Sequence, residues 1–66
     1  MQIQLNGEGR EVPEGLNVTA LLEHLGLNPA RVAIERNLEI LPRGQWQATT
    51  VAAGDRFEIV HFVGGG

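Results

Sequence analysis

The sequence predicts an α+β fold in which one main helix packs on a mixed sheet of four to five strands. Three observations predict it: the chain opens on a strict apolar/polar alternation, carries one leucine stripe at helical spacing, and closes on a run rich in β-branched and aromatic residues. With 66 residues there is room for one hydrophobic core only, because a chain this short buries only about 60% of the surface its unfolded form exposes. The core must be aliphatic, since two Phe, one Trp and no Tyr accompany many Val, Ile and Leu.

Met1, Ile3 and Leu5 alternate with Gln2, Gln4 and Asn6, which is the pattern of a half-buried strand. Asn6-Gly7-Glu8-Gly9 then supplies turn residues, and Arg10-Glu11-Val12 can return antiparallel before Pro13 ends the ladder. Asn17 is placed as an N-cap for a short helix whose apolar face is Val18, Leu21, Leu22 and Leu25. Gly26 suits the left-handed position past the helix end, with Leu27 making the apolar contact that accompanies such caps. A third strand is expected over Arg31 to Arg36, with Val32 and Ile34 inward. Asn37 marks a turn, Leu38-Glu39-Ile40 a short fourth strand, and Pro42-Arg43-Gly44 an interruption. The stretch Gln45 to Val51 carries no clear periodicity, and Trp46 within it is expected to cap the edge of the core. Ala53-Gly54-Asp55 forms the last turn, and the fifth strand runs from Arg56 to Val63. The first and fifth strands, both long and apolar, are expected to pair at the centre. One helix on such a sheet is a β-grasp, with residues 1–63 as the domain and 64–66 as a flexible tail.

Composition excludes several functions. Five Arg against eight acids give a net charge of -3 and no basic stripe, which argues against nucleic acid and anionic lipid as partners. No apolar run reaches the length of a membrane span, and the opening residues have no leader-like character, so a cytoplasmic location is expected. Cysteine is absent, which removes thiolate and persulfide chemistry from this chain, and lysine is absent as well. Neither His24, in the last helical turn, nor His61 has the companions of a metal site; His61 is expected to be structural or at the rim. No cofactor and no catalytic residue is expected.

The feature that calls for chemistry is Gly64-Gly65-Gly66, a glycine triplet directly after the last strand. Glycine is costly to order, but without Cβ atoms Gly64 and Gly65 can thread a narrow channel and carry Gly66 about 10 Å beyond the domain into a partner's active site. The reactive group there is the α-carboxylate of Gly66. Adenylation with ATP consumed by a partner enzyme would activate it, and attack by a sulfur donor on the unhindered glycyl carbonyl would leave a thiocarboxylate. Along the last strand, Arg56 and Glu58 share a face with Val60 and Phe62. If Phe57, Ile59 and His61 point to the helix, Val60 and Phe62 form a docking patch beside the tail, with Arg56 a further contact. The other arginines are expected to be solvated.

Asn37, Gly54-Asp55-Arg56 and the ending Glu58-Ile59-Val60-His61-Phe62-Val63-Gly64-Gly65-Gly66 resemble the ThiS sulfur carrier family of thiamin thiazole biosynthesis, and the resemblance spans the chain. It implies a ubiquitin-like fold, modification of Gly66 by a ThiF-type adenylyltransferase, sulfur from a cysteine desulfurase relay, and delivery to a ThiG-type thiazole synthase. The related MoaD family shares the tail logic but matches the final strand less well. Two other readings stay open from the residues alone: a ubiquitin-like modifier joined to target lysines through Gly66, and a binding module with an inert tail.

Overall fold

The computed structural model describes residues 1–62. In chain order the elements are β1 (Gln2–Leu5), β2 (Glu8–Glu11), α1 (Val18–His24), β3 (Val32–Arg36), β4 (Glu39–Ile40) and β5 (Arg56–His61), with 3-10 turns at Pro29–Arg31 and Arg43–Gln45. The sheet order is β2-β1-β5-β3-β4, so the last strand lies in the middle. The expected pairing of first and last strands is present. It is parallel, through Gln4↔Arg56 and Leu5↔Phe57, whereas β1–β2, β3–β4 and β3–β5 are antiparallel. This five-stranded mixed sheet with one helix is the predicted β-grasp.

The opening hairpin is tighter than the sequence suggests. Its loop is Asn6-Gly7 alone, both residues at positive φ (50° and 83°), and Leu5 faces Glu8 across it. Two left-handed central residues match the right-handed twist of the flanking strands, and so Glu8 and Gly9 belong to β2 rather than to the turn. The second hairpin repeats the device. Arg36 faces Glu39, which leaves Asn37 and Leu38 as the loop at φ 52° and 72°. Leu38 is therefore a turn residue and not the first residue of β4. Register has overridden a local conformation that costs an L-residue roughly 1–2 kcal/mol.

The helix is bounded as its sequence dictates. The Asn17 side chain accepts from the Ala20 N–H at 2.8 Å, satisfying one of the orphan donors of the first turn. At the other end Gly26 takes φ 74°, the Gly26 N–H donates to Glu23 and the Leu27 N–H to Leu22, which is a Schellman cap with Leu27 packed on the core. His24 is exposed in the last turn. Seven residues make too short a helix to stand alone. Its stability comes from Val18, Leu21 and Leu22, which are fully buried against Ile3, Val32, Phe57 and Ile59.

The unreadable stretch after Pro42 is organised around Trp46, which is buried as expected. Its indole N–H donates to the Leu41 carbonyl at 2.9 Å, and the Arg43 guanidinium lies 4.5 Å from the ring centroid. Arg43 also donates to the carbonyls of Pro29 and Val32. It is exposed, as expected of a solvated loop charge, and is also a tie between segments. Val51 returns to the core, and Thr50 bridges Asn17 at the start of the helix.

Candidate functional site

Side chains alternate along β5, and the alternation divides its residues between two environments. Phe57 and Ile59 face the helix, 1% and 5% exposed. Val60 and Phe62 lie on the opposite, open side, 57% and 55% exposed, and Arg56 and Glu58 precede them there. Cross-strand pairing extends this surface, since residues directly opposite point to one face. Ala33 faces Val60, Glu35 faces Glu58, and Ile40 faces Glu35. Val60, Ala33 and Ile40, the last 80% exposed, line a shallow depression of ≈ 250 Å³ rimmed by Glu35 and Glu58. Phe62 borders an adjoining hollow together with Ile40, Pro42 and Trp46. The three expected docking residues therefore share one face, with Val60 and Phe62 beside the tail end and Arg56 at the base. Ile40 and Ala33 were not legible as part of it, because only strand register shows which side they take.

His61 is exposed at the end of β5, as a rim residue would be. Gly64, Gly65 and Gly66, together with Val63, lie outside the described residues. The expected boundary between the domain and the tail lies there too.

Beneath the open face, the base of β5 is fixed by a polar knot. Asp55 is 6% exposed. Its carboxylate accepts from the Ala52 N–H at 2.8 Å, from Arg36 Nε at 3.0 Å and Nη2 at 3.4 Å, and from Asn37 Nδ2 at 3.2 Å. Burial pushes the Asp55 pKa up, but the hydrogen bonds from Ala52, Asn37 and Arg36 and the guanidinium charge outweigh burial and hold it below its ordinary 3.8. Asn37 joins the next residue too: its Oδ1 accepts from the Arg56 N–H at 2.9 Å, and its own N–H donates to the Arg56 carbonyl at 2.7 Å. Arg36 is thus half of a partly buried ion pair, a departure from the expectation of solvated arginines. Asn37 and Asp55-Arg56, far apart in sequence, prove to be one structural unit that sets where β5 begins.

A second clamp holds the strand midway. The Asn6 side chain accepts from the Ile59 N–H at 2.8 Å and donates to the Ile59 carbonyl at 3.3 Å, so that one amide stands in for a strand neighbour where β1 has ended. Asn6 reads in the sequence as a turn residue alone. Its partner is 53 positions away, and no local signal announces it.

No group of three or more His, Asp or Glu side chains is arranged to hold a metal among the described residues, and no helix there is long and apolar enough to cross a membrane.

The ThiS family model matches residues 3–66 of the chain. The sulfur carrier protein ThiS of Escherichia coli is 35% identical, with the whole of both chains covered. A thiazole synthase of Paramagnetospirillum magneticum is 46% identical and one of Magnetococcus marinus 42% identical; all of this chain is covered, but it spans only 20% of the length of each. The crystal structure of a thiamine biosynthesis protein, ThiS, from Geobacter metallireducens matches with a TM-score of 0.86 at 42% identity, over all of both chains.

Proposed function

The chain belongs to the ThiS family, and on that premise we propose that it is a sulfur carrier of thiamin biosynthesis, a protein co-substrate rather than a catalyst, whose Gly66 carboxylate is the group that is charged. The observation that supports this best is the end-to-end likeness to the Escherichia coli sulfur carrier protein. The glycine triplet after β5 agrees with it chemically.

The reading requires Gly66 to bear a free carboxyl group. A carboxylate oxygen of Gly66 attacks the α-phosphorus of ATP on a ThiF-type adenylyltransferase and expels pyrophosphate. A persulfide from a cysteine desulfurase relay then attacks the glycyl carbonyl and expels AMP. A thiol cleaves the resulting acyl disulfide, leaving the thiocarboxylate on Gly66 and a disulfide on the relay. The thiocarboxylate sulfur passes to the thiazole precursor on a ThiG-type synthase, and an oxygen from that precursor or from water takes its place on the glycyl carbon, restoring the carboxylate. ATP is thus consumed by the partner and no cofactor resides on this chain. Gly64 and Gly65 thread the partner's channel, and the reaction belongs in the cytoplasm, where ATP is supplied.

Docking falls to the open face of β5. Val60 and Phe62, with Ile40 beside them, offer an apolar patch next to the tail, and Arg56 is placed at its far end. Glu35 and Glu58 sit opposite one another on the same face, a like-charge arrangement that disfavours the free sheet and favours a cationic partner surface. Intact-mass spectrometry after incubation with ATP, the adenylating enzyme and a persulfide source tests the reading. Exchange of one oxygen for sulfur is the expected result, abolished by deletion of Gly66. A ladder of heavier conjugates would instead assign the chain as a protein modifier.

A further inference from the structure

Hydrogen-bonding directions alternate along β5. On the β1 side, the Asp55 carbonyl accepts from Gln4, the Phe57 carbonyl from Asn6, and Ile59 is taken by the Asn6 side chain. On the β3 side, Asn37 donates to the Arg56 carbonyl and the Phe62 N–H donates to Arg31. By this two-residue period, the N–H and C=O of His61 point to the β1 side. There β1 has already ended: its pairing with β5 stops at Leu5↔Phe57, and Asn6-Gly7 turns the chain back into β2. Pairing with β3 continues to Val32↔His61. Among the described residues, the tail-side end of β5 is thus flanked on one side only.

The other edges of the sheet are guarded and this one is not. β2 carries Glu8, Arg10 and Glu11 and is followed by Pro13; β4 has two residues and is followed by Pro42. Charge, proline and shortness are the usual devices against unwanted strand pairing. Val60, His61 and Phe62 include none of them, and the apolar pair is exposed on the adjoining face.

Resting on the sulfur-carrier reading, we propose that this open edge is a docking site for an extended segment of a thiazole synthase, which adds as a strand beside His61 in the place β1 leaves empty. Backbone pairing at His61 would supply affinity without regard to the partner's sequence, and the pockets around Val60 and Phe62 would supply selectivity. The occupant is assigned from two relatives in which a segment like this chain makes up 20% of a thiazole synthase. Strand addition also gives the tail a direction. Gripped from both sides at His61, the chain can lay its last five residues along one line, reaching at most about 17 Å to the reacting carbonyl.

Amide hydrogen exchange on the isotope-labelled chain, alone and with the thiazole synthase of the same organism, tests the proposal. The His61 amide is expected to exchange quickly in the free chain and at least about tenfold more slowly in the complex. His61→Pro removes that donor at a position where the ladder does not use it. It is expected to keep the wild-type melting temperature and to bind the synthase about tenfold more weakly, whereas His61→Ala binds as wild type. Unchanged exchange in the complex would overturn the proposal, and so would wild-type binding by the proline variant. Concentration-dependent protection in the free chain would also overturn it, by giving the edge to a second copy. Gly66 charging measured on the same sample keeps the two readings apart: normal charging with unchanged exchange leaves the carrier standing without strand addition.

Discussion

At its base, β5 is held on every side. Arg56 is tied to Asn37 through both backbone groups, the Asp55 carboxylate beside it takes four donors, Phe57 is buried, and β1 and β3 flank it. At Val60 to Phe62 the same strand has β3 on one side, an open edge on the other, and two large apolar side chains in water. A single six-residue element thus packs Phe57 and Ile59 into the core and leaves its last residues exposed, and it is these that we propose for recognition. The anchored base must be rigid for the exposed end to be aimed, because Val60 to Phe62 take their direction from the strand below them.

Three substitutions put that contrast at risk, in order of decreasing effect on stability. Phe57→Ala, at the anchored end, empties the centre of the core and is expected to cost about 3–5 kcal/mol, a large share of the total stability of a small domain. Denaturant unfolding checks it, and a loss below 1 kcal/mol would mean that the base is not the keystone. Asp55→Asn comes next, since it places an amide NH2 among donors and removes the charge facing Arg36. About 2–3 kcal/mol is expected, or a fall in melting temperature of roughly 8–24 °C.

The pH dependence of that knot has a definite sign. Asp55 is held below its ordinary 3.8 in the folded state, so its contribution is complete above the unfolded-state value and is lost as pH falls through the lower folded-state value. Melting temperature should hold from neutrality to about pH 5 and drop below pH 4, with the drop shallower in Asp55→Asn. An identical acid limb in both proteins would remove Asp55 from the account. The smallest effect on stability belongs to Val60→Glu at the exposed end, within about 0.5 kcal/mol of wild type. Its consequence is expected in binding instead, with affinity for the adenylating enzyme and the synthase falling more than tenfold at the patch's centre. A Val60→Glu chain that unfolds would show that the two ends are not separable.

Much of this was readable along the chain. Gly26 and Asn17 bound the helix by local hydrogen bonding, and Ile3, Leu5, Val32, Ile34, Phe57 and Ile59 declare their inward face by alternation alone. Those signals are local and need only the neighbouring few residues. Leu38 misled because its apolar side chain suits a strand, while the register of its hairpin forces it into a turn. Arg36 misled because its partner lies 19 residues away at Asp55, and the ties of Arg43 were hidden because the carbonyls it reaches lie 14 and 11 residues away at Pro29 and Val32.

The sequence by itself determined the class of fold, the apolar faces of its strands and helix, and the glycine triplet on which the proposed chemistry rests. Periodicity and capping are properties of adjacent residues, so they survive in one dimension. Only the tertiary structure decided that Asn37 and Asp55 would meet, that Asn6 would stand in for a strand at Ile59, and that Ile40 would join Val60 on the open face. Each depends on which strands become neighbours and in what register, and that is settled by burying one shared core rather than by any stretch of chain alone.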